Sequence, residues 1–112
     1  MDIAIEKRER ATVVSIEGSV DGISAPQLVA ALREQIAGGS PRLVGDMANV
    51  DYTSSAGLRA LLETVKDARQ HGGDLRLAAV RPEVLRVLEL SGFTSILQVF
   101  ADVDAAVASF AS

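Results

Sequence analysis

The residues best placed to do chemistry in this chain are two adjacent serines, Ser54 and Ser55, followed by Ala56 and Gly57. A serine hydroxyl at such a place has three uses. It can cap the free N–H groups that open a helix, attack a substrate as a nucleophile, or accept a phosphoryl group. Capping is the commonest fate of a Ser before an amphipathic run. Nucleophilic attack fits poorly. Ser55-Ala56-Gly57 is half of a G-x-S-x-G elbow, but Thr53 stands where the first Gly is required. The one histidine, His71, falls at the far end of the helix that Ser55 opens, ~24 Å away at 1.5 Å per residue. Phosphorylation fits better. Small residues leave the backbone approachable, and a helix start tolerates added negative charge. A phosphate there would change the surface without melting the helix.

Other chemistries lack their parts. The 112 residues contain no cysteine, which removes thiol catalysis, cysteine-ligated zinc and iron–sulfur clusters. One His and scattered carboxylates do not make a metal site, and no cofactor is expected. There is no G-x-x-x-x-G-K-[ST] or G-x-G-x-x-G; Gly38-Gly39 and Gly72-Gly73 follow helices instead of opening them. A net charge of −4 argues against nucleic acid and against an anionic membrane surface. No apolar run approaches the ~18 residues of a membrane span. The N-terminus, Met1-Asp2-Ile3-Ala4-Ile5-Glu6, does not read as a signal peptide. A hydrophobic fraction of 48% against 23% charged describes a folded soluble domain, and the length suits one domain over residues 1–112, with a cytoplasmic location expected.

The elements that would hold the serines follow from periodicity. Ile3 and Ile5 alternate with polar neighbours, as do the β-branched residues of Thr12–Glu17, which predicts two strands and a hairpin. Ser24 reads as an N-cap and Pro26 as a first-turn residue of a helix with Leu28, Leu32 and Ile36 on one face. Leu43–Met47 reads as a buried strand and 48–55 as a polar connection. Leu58, Leu61, Leu62, Val65 and Ala68 mark the face of a second helix, and Leu75, Leu77 and Ala79 a further strand. Pro82 opens a third helix, Ile96–Phe100 suggests a short strand, and Val103, Val107 and Phe110 a last helix. Strands separated by helices imply a mixed, mostly parallel sheet with one antiparallel pair.

On these residues the chain resembles the STAS-domain anti-sigma factor antagonists, the switch proteins of bacterial partner-switching pathways. Asp46 stands at the family's strand-end Asp, and Ser55 at its phosphorylated serine, followed by Ala56, Gly57 and Leu58. Gly18-Ser19-Val20-Asp21 is similar to the family's Gly-x-Leu-Asp turn, and Leu88–Phe93 to its leucine-rich helix and Gly-Phe exit. One position departs: Ser54 replaces the usual Asp, which also makes Ser54, or even Thr53, an alternative phosphosite; the register from Asp46 and Gly57 favours Ser55.

The resemblance implies a single α/β STAS domain with helices mainly on one face of a central mixed sheet. It implies a regulator, not an enzyme. The unphosphorylated form binds an anti-sigma factor that is also a serine kinase and so frees a sigma factor. Phosphorylation at Ser55 ends the binding, and a PP2C-type serine phosphatase resets the switch. Asp21, Ser54, Ala56, Gly57, Leu58 and Arg59 would shape the docking surface. Asp21 reads equally well as a turn residue capping the first helix, and Arg59 as an exposed helix residue. The alternative role is that of a phosphorylation-independent STAS adaptor in a multiprotein complex, such as a lipid-transport or stress-sensing assembly.

Overall fold

The structure is a computed structural model, and it describes residues 1–110. Strands β1 (Asp2–Lys7) and β2 (Thr12–Val20) form the expected hairpin. They are followed by α1 (Ala25–Ala37), β3 (Arg42–Thr53), α2 (Ser55–Gln70), β4 (Asp74–Ala78), α3 (Pro82–Leu90), a 3-10 turn at Phe93–Ser95, β5 (Val99–Phe100) and α4 (Val103–Ala108). The five strands lie in the sheet in the order β1-β2-β3-β4-β5. The β1–β2 pair is antiparallel and the other three pairs are parallel.

The sheet buries both faces. On one, Val14, Ile16, Leu43, Met47, Leu75 and Leu77 meet Leu28, Leu32 and Ile36 of α1, Leu58, Leu61 and Val65 of α2, and Val84 and Leu88 of α3. These helical positions recur three or four apart, so each helix turns a single apolar stripe inward. On the other face α4 alone covers a smaller cluster of Ala11, Val13, Val44, Ala78, Ala106 and Phe110. Three helices against one agrees with the expectation of helices mainly on one face.

Asp74, at the start of β4, is the one buried carboxylate among the described residues, 5% exposed. It accepts from Arg69 Nε of α2 at 3.0 Å and from Arg76 Nε at 3.1 Å. Arg76 goes on to donate to the Ser109 carbonyl at 2.7 Å and lies 4.0 Å above the Phe110 ring. Burial of the charge is thus matched by charge-assisted hydrogen bonds.

Several expectations need correction. Residues 48–53 are not a connection: β3 runs on to Thr53 and pairs with β2 to its end. The pairing jumps from Ser15↔Asp46 to Glu17↔Asn49, and from Gly18↔Val50 to Ser19↔Tyr52, so β3 carries an extra residue at each place. Such bulges break period-two alternation and make a strand read as a loop. For the same reason Asp46 lies within β3, not at its end; its Oδ1 accepts from the Ala48 N–H at 3.1 Å, inside the first bulge. Finally, only Val99–Phe100 of the expected last strand pairs with β4, and Phe110 falls after α4, although it is buried as expected.

Candidate functional site

The parallel pairing of β2 with β3 brings Val20 beside Thr53, so the two loops that follow these strands leave the sheet side by side. Ser54 is the hinge. Its N–H donates to the Val20 carbonyl at 2.9 Å, and its carbonyl accepts from the Leu58 N–H at 2.9 Å. Its backbone is extended, φ −88° and ψ 173°, and its Oγ accepts from the Gly57 N–H at 3.2 Å. Ser54 is therefore the N-cap of α2. Ser55 is the first helical residue and is exposed. The N–H groups of Ser55 and Ala56 have no hydrogen-bond partner among the described residues. Of the three neighbouring hydroxyls, that of Thr53 is buried, that of Ser54 is engaged, and that of Ser55 is free. The Thr53 Oγ1 has no hydrogen-bond partner among the described residues.

Gly57 explains why the two loops can touch. A Cβ at this position would lie 2.3 Å from the Val20 carbonyl oxygen and 2.9 Å from Val20 Cγ1. Only glycine lets α2 start against the end of β2. Leu58 turns into the core at 4% exposure. Gly57 and Leu58 thus set the position of the surface from beneath, whereas Ser55 and Arg59 are exposed and Ala56 half-buried.

Asp21 occupies the turn after β2. Its Oδ1 accepts from the N–H groups of Ser24 and Ile23, each at 2.9 Å. These two bonds, the Ser24 one foremost, hold the carboxyl below its usual range, and the Ser24 hydroxyl adds to the effect. Ser24 is not the side-chain cap that its position suggests. Its Oγ donates to the Ser19 carbonyl at 2.7 Å and accepts from the Asp21 N–H at 3.0 Å. The turn is a closed set of bonds between Asp21 and Ser24. It presents Gly22 to Ala56, where a Cβ on Gly22 would sit 3.8 Å from the Ala56 Cβ.

Two residues of this surface are missed by reading the sequence. Ile23 is 93% exposed at the tip of the Asp21 turn. An apolar residue inside an otherwise polar turn is its only sequence signal. Gly22 matters through its neighbour in space, and no local pattern marks it. A groove of about 660 Å³ runs from this point between α1 and α2, past Pro26, Val29, Ala56, Arg59 and Ala60. A smaller cleft of about 230 Å³ lies on the other side of α2, bordered by Ser55, Leu58, Arg59, Ser91 and Phe93. His71 sits at the opposite end of α2, where its Nδ1 is 2.8 Å from the Asp67 carbonyl oxygen.

A model of the STAS domain matches residues 2–106. The chain belongs to the STAS family. It is 39% identical over 110 residues to BtrV of Bordetella bronchiseptica, a protein named for an anti-sigma factor antagonist role; the match spans 98% of this chain and 95% of that one. It is 28% identical over 104 residues to the anti-sigma-B factor antagonist of Bacillus subtilis, covering 90% of this chain and 92% of the relative. In fold it is similar to a Thermotoga maritima structure described as an anti-sigma factor antagonist, with a TM-score of 0.90, 15% identity and coverage of 96% and 93% of the two chains. The relatives of this STAS domain are thus named for regulation, not for catalysis, in agreement with the absence of an elbow or triad in the sequence. Among the described residues no helix is long and apolar enough to cross a membrane.

Proposed function

We propose that this STAS domain is an anti-sigma factor antagonist whose docking is controlled by phosphorylation of Ser55. The observation that carries the reading is the division of labour between the two serines. Ser54 holds the helix start, which leaves the Ser55 hydroxyl exposed and unengaged, next to Ala56, which faces Gly22 of the Asp21 turn. The names of the BtrV and Bacillus subtilis relatives support the class of partner.

In this reading the unphosphorylated surface of Ser55, Ala56, Arg59 and the Asp21 turn binds an anti-sigma factor serine kinase in the cytoplasm and releases a sigma factor. The Ser55 Oγ attacks the terminal phosphorus of ATP held by the kinase. The O–P bond forms as the bond to ADP breaks, and the hydroxyl proton passes to a base of the kinase. The product carries about two negative charges in a surface that had none at that atom. Burying a dianion in an interface without matched partners is costly, so the complex separates. A PP2C-type serine phosphatase restores the hydroxyl.

The test is a capture experiment with wild type, Ser55→Ala and Ser55→Asp as baits. Wild type and Ser55→Ala are expected to retain a kinase-like anti-sigma factor, and Ser55→Asp to lose it. Equal retention of the same partner by all three baits would overturn the switch and leave a phosphorylation-independent adaptor.

A further inference from the structure

Arg59 stands one helical turn after Ser55. In an α-helix, residues four apart are surface neighbours. Both border the 230 Å³ cleft between the start of α2 and the end of α3, together with Ser91. Arg59 also borders the larger groove between α2 and α1, which Ser55 does not. It is therefore the one cation that can serve either side of the helix. It is exposed and, like Arg10, Arg42 and Arg86, makes no hydrogen bond or ion pair among the described residues, whereas Arg8, Arg33, Arg69, Arg76 and Arg81 are all engaged; of the four unengaged arginines only Arg59 borders both the groove and the cleft.

We propose that Arg59 is the intramolecular acceptor of a phosphate on Ser55, and that phosphorylation holds its guanidinium in the cleft beside α3. The inference rests on the assignment of Ser55 as the phosphosite. One acid competes for Arg59: Glu63, four residues further on, which lines the groove. Two arguments decide against it. An i,i+4 pair is stronger with the anion on the N-terminal side; phosphoserine 55 with Arg59 has that polarity, and Arg59 with Glu63 has the reverse. A phosphate also carries up to twice the charge of a carboxylate and offers the oxygen geometry that a guanidinium matches with paired hydrogen bonds. Phosphorylation then acts twice on the docking surface. It adds bulk and charge on the α3 side, and it keeps the Arg59 cation from serving the α1 side.

The test installs phosphoserine at position 55 during translation, so that no kinase is needed. The second ionisation of the phosphate is followed by phosphorus NMR in three backgrounds: otherwise wild type, Arg59→Gln and Lys66→Gln. Lys66 is an exposed cation of the same helix, two turns further on. The free N–H groups of the helix start act equally in all three. The titration midpoint is expected to be lower in the wild-type background than in Arg59→Gln by on the order of 0.15–0.4 pH, with Lys66→Gln close to wild type. The Arg59 Nε–H signal is expected to move on phosphorylation. Equal midpoints for wild type and Arg59→Gln overturn the proposal, as does an equal shift from Lys66→Gln, which would mark a general field. The outcome is independent of the partner: a phosphoprotein that keeps its clamp and still binds the anti-sigma factor would sink the proposed function and leave the clamp standing.

Discussion

At the scale of single residues, the site depends on a contact that a side chain would forbid. The carbonyl oxygen of Val20 fills the space where a Cβ on residue 57 would go, at 2.3 Å. Gly57→Ala should therefore push α2 away from β2 and lower stability by about 1–3 kcal/mol, the usual range for overpacking. Urea unfolding measures it, with Gly22→Ala as the comparison. The nearest atom to a Cβ on Gly22 is an ordinary 3.8 Å away, and that variant should be close to neutral. The sequence shows that residue 57 is small and begins a helix. It cannot show that the end of another strand lies against it, because that fact belongs to the pairing of β2 with β3. Asp21 is a similar case. Asp21-Gly22-Ile23-Ser24 contains two good capping residues, and which of them accepts the free N–H groups is decided by the turn geometry; the carboxylate does so.

At the scale of elements, the two serines make opposite predictions. Ser54 supplies the side-chain N-cap of α2, a helix of 16 residues. Ser54→Ala should cost about 1 kcal/mol, whereas Ser55→Ala should change stability by less than about 0.5 kcal/mol. Chemical denaturation of the pair checks both. Equal losses would mean that the hydroxyls share the cap and that Ser55 is not free. The helices were legible because their apolar residues recur three or four apart: Leu28, Leu32 and Ile36 in α1, and Leu58, Leu61, Val65 and Ala68 in α2 are buried as the spacing requires. The first, second and fourth strands were legible from alternation or from a short apolar run. The far half of β3 was not. Ala48 and Asn49 are both exposed, as are Asp51 and Tyr52, because each bulge places two neighbours on the solvent side.

At the scale of the whole molecule, the end of the sheet that carries Ser55 and the opposite end are built differently. The Ser55 end relies on close backbone contact. The other end relies on Asp74, whose carboxylate joins α2 through Arg69 to β4 and, through Arg76, to the segment after α4. Asp74→Ala strands two guanidiniums, of which Arg76 has a side chain only 18% exposed. The expected loss is about 2 kcal/mol or more, read as a lower urea midpoint, and docking at Ser55 should survive in the folded fraction. A loss within about 0.5 kcal/mol would show that the pairs do no more than exposed surface ion pairs.

The order of the strands has a consequence for how the chain is made. In many parallel sheets a later strand must be inserted between two earlier ones. Here the order across the sheet is the order along the chain. Each strand pairs with the one synthesised just before it, first across a tight hairpin and then across one helix at a time. Short separations between partners favour fast folding, since each loop closed is small. As the chain leaves the ribosome from its N-terminus, every strand emerges next to an edge that is already waiting for it. The sheet can grow in one direction without ever being reopened.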